Sequence, residues 1–98
     1  MTITKNQNGS ALEIALEGRL DTMTSPDLDA ELKTSLNGAD SLILNCEKLD
    51  YISSAGLRAI LNAHKAMLGK GGMRLTHVNE IVREVLEITG FADVVTIE

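Results

Sequence analysis

The sequence predicts a small α/β fold with a mixed, mostly parallel β-sheet and about three main helices. Two observations lead to this prediction: a hairpin signal near the N-terminus, and strand-like and helix-like segments that alternate along the rest of the chain. Such alternation favours parallel strands that are joined by right-handed crossovers. With 98 residues, we expect a single domain over residues 1–98, because a typical domain takes about 100–200 residues.

The N-terminal segment has the pattern of a β-hairpin. Asn8-Gly9 is a strong turn signal, since both central positions of a type I′ turn need a positive φ. Residues 2–6 before the turn are expected to form a short edge strand. After it, Leu12, Ile14 and Leu16 occupy alternate positions, which is typical of a half-buried strand.

The first helix is predicted to begin with Ser25 as its N-cap and Pro26 at the first helical position, where the missing N–H costs nothing. Its apolar stripe repeats every four residues, at Leu28, Leu32 and Leu36. Asn37-Gly38 ends the helix. The next segment, residues 42–46, is a short apolar run typical of a strand that is buried on both faces.

The second helix is predicted to open near Ser53-Ser54 and to stop at the glycines of residues 69–72. Its apolar stripe consists of Leu57, Ile60, Leu61, Met67 and Leu68. A strand over residues 73–78 follows.

The third helix is predicted to start at Asn79, which would be its N-cap, and to end at a left-handed Gly90. Its apolar positions are Val82, Val85 and Leu86. Phe91 is expected to pack back against Leu86. Residues 94–97 form the last predicted strand.

Composition and charge exclude several classes of function. With 14 acidic and 9 basic residues the net charge is −5, which argues against a nucleic-acid partner because a phosphate backbone calls for a clustered basic face. No apolar run approaches the roughly 20 residues that span a bilayer, so no membrane association is expected. The lone Cys46 cannot form an internal disulfide and predicts a reducing, cytoplasmic location. Cys46, His64 and His77 are isolated, so neither a metal nor another cofactor is predicted.

The candidate site is the segment that joins residues 42–46 to the second helix. There a helix start would stabilise an anion through its dipole and its free N–H groups. Ser53 and Ser54 supply hydroxyls, and the small Ala55 and Gly56 would leave the backbone amides approachable. The alternative interpretation is that one serine is only an N-cap, worth about 1 kcal/mol against alanine. The residues alone leave both interpretations open.

An enzyme is not predicted. A serine hydrolase of the nucleophile-elbow type needs Gly-x-Ser-x-Gly, and neither Ser53 nor Ser54 has a glycine two residues before it. His64 falls on the apolar stripe of the second helix and is expected to be packed or half-buried, and His77 has no carboxylate nearby in the sequence. Residues 69–72 resemble a phosphate-binding loop in composition only.

Three segments together resemble the sulfate-transporter and anti-sigma-factor-antagonist (STAS) domain, and specifically its stand-alone bacterial anti-sigma factor antagonists. Residues 17–21, Glu-Gly-Arg-Leu-Asp, are similar to the family's turn after the second strand. Residues 50–57, Asp-Tyr-Ile-Ser-Ser-Ala-Gly-Leu, resemble its phosphorylation loop. Residues 79–91 resemble its third helix, and the three segments occur in the family's order.

The resemblance implies a protein-interaction module that is switched by phosphorylation. Its target serine falls on Ser54, with Ser53 as the alternative because many members have aspartate at that position. The implied partners are a GHKL-type anti-sigma factor, which is a serine kinase using ATP, and a serine phosphatase. The unphosphorylated chain, expected to be a monomer when free, would bind the kinase and release the sigma factor. A non-phosphorylated scaffold or a transporter-associated subunit is the alternative.

Around that serine, the resemblance implies that Asp21 lies beside the loop and orients it. Ser53, Ala55 and Gly56 would support the loop or contact the partner. Arg58 follows one helical turn after Ser54 and would either neutralise the phosphate or contact the partner; with Lys65 it forms a basic strip.

Overall fold

Five strands form one sheet in the order β1-β2-β3-β4-β5, as a computed structural model of residues 1–98 shows. The strands are β1 (Thr2–Asn8), β2 (Ala11–Leu20), β3 (Ser41–Ile52), β4 (Met73–Thr76) and β5 (Thr96–Ile97). The helices are α1 (Ser25–Ser35), α2 (Ser54–Met67) and α3 (Glu80–Ile88), with short 3-10 turns at Leu36–Gly38 and Phe91–Asp93. Only β1 and β2 pair in antiparallel fashion, and the other pairs are parallel. The predicted mixed fold with three helices is confirmed.

One face of the sheet is buried and the other is not. Each parallel strand lies beside the strand that precedes it in the chain, so all crossovers move across the sheet in the same direction. Because these crossovers share one hand, they place their helices on a single face of the sheet. In β3, Leu42, Leu44 and Cys46 are buried, whereas Ile43 and Asn45 between them are only half-buried. The prediction that residues 42–46 are buried on both faces is therefore wrong, because no helix covers the second face.

The core lies between the helices and the buried face, and it is almost wholly aliphatic. Its fully buried side chains are Leu12, Ile14, Leu16, Leu20, Leu28, Leu42, Leu44, Leu49, Ile52, Ile60, Met67 and Leu75. Cys46 is part of it, and burial raises the pKa of its thiol to about 12, so the thiol stays protonated and unreactive. Phe91 is half-buried and packs against this core, of which Leu86 is a member.

The start of α1 differs from the prediction by one residue. The helix begins at Ser25, which is buried, and its N-cap is Thr24, whose side chain makes no capping hydrogen bond. The Thr24 hydroxyl is engaged upstream instead, because it donates to the Arg19 carbonyl and accepts a hydrogen bond from the Asp21 amide. Pro26 stands in the first turn, as predicted.

The C-terminal elements are shorter than the sequence pattern suggests. Strand β4 ends at Thr76 because His77, at φ +56°, turns the chain through the left-handed region. Leu68 is 64% exposed and does not join the apolar stripe of α2, since the backbone is already extended there. Gly90 adopts the predicted left-handed conformation, at φ +82°. The turn at 91–93 that follows it leaves only Thr96–Ile97 for the last strand.

Two bulges in β3 shape the end of the sheet that carries the candidate site. Ala15 faces Asn45, but Glu17 faces Lys48 and Arg19 faces Tyr51, so β3 gains one residue over β2 at each of two places. Bulges of this kind re-aim side chains. As a result Leu49 and Ile52, three residues apart, are both buried.

None of the three helices combines the length and the hydrophobicity that a membrane span requires.

Candidate functional site

A single residue, Ser53, connects the end of β3 to the start of α2. Its amide donates to the Leu20 carbonyl at 2.9 Å, which ties it to the end of β2. Its Oγ accepts a hydrogen bond from the Gly56 amide at 3.4 Å, which makes it the N-cap of α2. For Ser53, the interpretation as an N-cap is therefore confirmed.

Ser54 is the first residue of α2, and its side chain points to solvent. Its hydroxyl takes part in no hydrogen bond, in contrast to that of Ser53. The positive end of the α2 dipole lies at this residue, where negative charge is stabilised. The structure thus presents a free hydroxyl at a place that tolerates an added anion.

Gly56 holds the start of α2 against the end of β2. A Cβ atom at this position would lie 2.7 Å from the Leu20 carbonyl oxygen, 2.8 Å from Leu20 Cγ and 2.9 Å from Ile52 Cγ1. No larger residue fits there without a shift of the backbone. Gly56 is buried and its amide is bonded to Ser53, so its role is close packing rather than the exposure of amides that the sequence suggested.

Asp21 organises the turn between β2 and α1. Its Oδ1 accepts from the Met23 amide at 3.0 Å and from the Thr24 amide at 3.2 Å. The Thr24 hydroxyl in turn donates to the Arg19 carbonyl at 2.7 Å. Partial burial acts to raise the pKa of Asp21, but the hydrogen bonds from Thr24 and Met23 outweigh it and hold that pKa below its usual value. Asp21 is thus ionised at neutral pH.

The Asp21 turn lies beside the α2 start, because Leu20 bonds to Ser53 and Asp21 follows Leu20 in the chain. The carboxylate itself makes no hydrogen bond to Ser53 or Ser54. On the same edge, the Arg19 guanidinium carbon lies 4.3 Å from the centre of the Tyr51 ring, a cation–π distance. Sequence reasoning missed this pair, since the bulges that bring Arg19 opposite Tyr51 leave no local pattern.

Arg58 and the two histidines take no part in the hydrogen bonds around Ser53. Arg58 is exposed and forms no ion pair with any carboxylate. His64 is half-buried on α2, as expected, and His77 is exposed at the end of β4. Neither histidine is hydrogen-bonded to Ser53 or Ser54, so the geometry of an activated serine is not present.

Asn79 fastens α3 to the strand that leads into the site. Its Oδ1 accepts from the Val82 amide at 2.8 Å, which confirms the predicted N-cap. Its Nδ2 donates to the Leu49 carbonyl at 2.7 Å. At Leu49, strand β3 is no longer paired with β4. The side-chain amide of Asn79 therefore satisfies a carbonyl on a free strand edge. This second bond joins residues 30 apart and has no local sequence signal.

One surface cavity lies away from these residues. It is a groove of about 530 Å³ between α1 and α2, with Leu32, Leu36, Ala63 and Ala66 among its lining residues. None of the predicted site residues lines it. No group of three or more His, Cys, Asp or Glu side chains is close enough together to hold a metal ion.

Comparison with known sequences gives one family and a near relative. The model of the STAS domain matches residues 2–98. The candidate anti-sigma factor antagonist BtrV of Bordetella bronchiseptica is 34% identical to this chain over 96 residues. The match covers 96% of this chain and 83% of BtrV.

Solved structures with the same fold include an anti-sigma factor antagonist from Mycobacterium paratuberculosis, with a TM-score of 0.88 at 14% identity, covering 98% of this chain and 83% of that one. The Bacillus cell fate determinant SpoIIAA in its phosphorylated form gives a TM-score of 0.76 at 19% identity, covering 99% and 91%. At these identities the likeness establishes the fold.

Proposed function

The chain belongs to the STAS domain family, and we propose that it acts as an anti-sigma factor antagonist. In this proposal the unphosphorylated chain binds an anti-sigma factor, which then releases its sigma factor. The anti-sigma factor is a GHKL-type serine kinase that phosphorylates Ser54 with ATP and so ends the binding, and a serine phosphatase restores it. The 34% identity to BtrV, itself named as a candidate antagonist, supports this class of partner.

The observation that carries the proposal is the exposed, unbonded hydroxyl of Ser54 at the first residue of α2. A kinase can reach this hydroxyl without disturbing the helix start. The Oγ of Ser53 is instead half-buried and occupied by the Gly56 amide. This contrast favours Ser54 over Ser53 as the phosphorylated residue.

The reaction is a phosphoryl transfer. The Ser54 oxygen forms a bond to the γ-phosphorus of ATP, the bond from that phosphorus to ADP breaks, and the hydroxyl proton is lost to the kinase or to water. The product gains about −1.5 to −2 charges at the positive end of a helix dipole, which stabilises it. Arg58, one turn further along and free of ion pairs, supplies a cation for the phosphate.

The switch therefore acts on the surface offered to the partner and leaves the fold intact. Bulk and negative charge at Ser54 would repel a kinase surface that fits the free hydroxyl. Asp21, in the adjacent turn, and Ala55 would lie within the contact area, and Gly56 would hold its shape. The chain would act as a monomer in the cytoplasm, in keeping with its lone, buried cysteine.

The test is incubation of the purified protein with its cognate kinase and ATP, followed by intact-mass measurement. We expect one added phosphate on the wild type and on Ser53→Ala, and none on Ser54→Ala. Full phosphorylation of Ser54→Ala would show that the assigned residue is wrong. Unchanged anti-sigma factor binding by Ser54→Asp would instead support a scaffold that is not switched by phosphate.

A further inference from the structure

Helix α3 carries two rows of apolar side chains, and the fold uses only one of them. Val82 and Leu86 are fully buried in the core. Ile81 and Ile88 are 60% and 77% exposed. Seven residues make nearly two helical turns, so these two isoleucines lie on the same outer side of α3. Nothing in this chain covers them.

A row of glutamates runs beside the exposed isoleucines. Glu80, Glu84 and Glu87 are all exposed, and none of them forms an ion pair. Their spacing of four and then three residues puts them along one side of the helix, next to Ile81 and Ile88.

The folded chain alone gives little reason for these charges. Glu80 lies in the first turn, where the helix dipole favours a carboxylate. Glu84 and Glu87 lie toward the C-terminal end, where the dipole disfavours one, and Glu80 and Glu84 repel each other at a spacing of four. Arg83, three residues after Glu80 and four before Glu87, offsets part of this repulsion, and the face keeps a net negative charge that a basic partner would complement.

We infer that the outer face of α3, formed by Glu80, Ile81, Glu84, Glu87 and Ile88, docks a basic amphipathic helix of the anti-sigma factor. Apolar side chains of that helix would cover the two isoleucines, and lysines or arginines beside them would pair with the glutamates. This inference rests on the proposed function, because it names a second contact for the same partner.

The position and size of this face favour a large partner over a second copy. Asn79, at the start of α3, bonds to Leu49 on the strand that leads to Ser53, so α3 is tied to the strand that carries the proposed kinase site. A helix of nine residues is only about 13 Å long. A stable interface between two copies buries roughly 800 Å² of surface on each copy. A face this short is therefore better suited to be one part of a wider contact with a larger partner.

The test measures binding of the unphosphorylated protein to its purified cognate anti-sigma factor by calorimetry. We expect Ile81→Ser/Ile88→Ser to weaken binding at least tenfold. Leu68→Ser, which changes an equally exposed apolar residue at the far end of α2, is the matched control and should bind as the wild type does.

A second variant separates docking from stability. Glu84→Gln/Glu87→Gln should weaken binding at low salt. It should also reduce the salt dependence of the affinity between about 50 and about 500 mM NaCl, because salt screens ion pairs of this kind over roughly that range. Its melting temperature should be unchanged or higher, because the removed charges oppose the helix dipole. A residue with a purely structural role would not lower affinity while it raises stability.

The possible failures are distinguishable. If the wild type binds the anti-sigma factor and both double variants bind equally well, the proposed function stands and the docking face is wrong. If the wild type does not bind at all, both proposals fall. If sedimentation velocity shows that the wild type self-associates and Glu84→Gln/Glu87→Gln does not, the occupant is a second copy and the inference is overturned.

Discussion

The starts of α2 and α3 are built from the same kind of cap but are held in different ways. Each begins with a residue whose side chain accepts a hydrogen bond from the amide three positions later, at 3.4 Å for Ser53 and 2.8 Å for Asn79. Asn79 also bonds to the Leu49 carbonyl at 2.7 Å. The α2 start is held by the backbone bond of Ser53 to Leu20 and by the close packing of Gly56.

The difference shows how one helix start can be kept free for chemistry. At α3 the side chain of Asn79 holds the helix start, so any substitution of Asn79 changes the structure. At α2 the helix start is held by the backbone amide of Ser53 and by the close packing of Gly56, so the neighbouring Ser54 is not needed for stability. Its hydroxyl can be modified while the helix stays in place.

The largest effect is expected at Gly56, because an added methyl group would overlap a backbone carbonyl that cannot move aside. We expect Gly56→Ala to lower the free energy of unfolding by about 2–3 kcal/mol, as overpacking does, in urea denaturation. Gly38→Ala is the control, since a Cβ atom there meets nothing within 4 Å. Equal stability of the two variants would mean that Gly56 does not hold the helix start.

The next largest loss of stability is expected at the two N-caps, Asn79 and Ser53, and the two losses can be compared directly. Asn79→Ala removes a cap and leaves the Leu49 carbonyl without its donor, which together cost about 2 kcal/mol. Ser53→Ala loses only a long, weak hydrogen bond and should cost about 0.5 kcal/mol. Asn79→Ser, which keeps a capping oxygen but cannot reach Leu49, should fall between them. The same loss in Asn79→Ala and Ser53→Ala would remove the contrast between the two starts.

The smallest loss of stability is expected at the start of α1, where the carboxylate of Asp21 holds the turn. The lowered pKa of Asp21 means that its ionised form stabilises the fold above the pKa of the unfolded chain. That contribution is lost as the pH falls through the folded-state value. Asp21→Asn keeps an acceptor oxygen but not the charge. We therefore expect the urea midpoint of the wild type to exceed that of Asp21→Asn at pH 7, with the gap narrowing as acid protonates the carboxylate. A gap that does not change with pH would contradict this.

The caps and the helix order could be predicted because they depend on neighbours in the sequence. The amides that Ser53 and Asn79 cap are three residues away, and the left-handed Gly90 ends α3 through its own φ angle. The N-cap of α1 was predicted one residue too late because the backbone already turns before Ser25, whose amide donates to the Asp21 carbonyl at 2.8 Å.

The remaining features depend on residues far apart in the chain. The need for glycine at position 56 comes from Leu20, and the second bond of Asn79 comes from Leu49. The open face of the sheet follows from the strand order, which an apolar run such as 42–46 does not encode. The sequence pattern located the candidate serines, but only the packing distinguishes the bonded Ser53 from the free Ser54.

The overhang of β3 beyond β4 has a dynamic consequence. Residues 42–45 lie between two strands, whereas the later part of β3 is paired with β2 alone and is flanked by α3 on its other side. Local opening is easiest where fewest backbone bonds must break together. Fewer sheet hydrogen bonds therefore hold the strand end that leads to α2 than hold the central sheet, and its order depends on the buried Leu49 and Ile52 and on the hydrogen bond from Asn79.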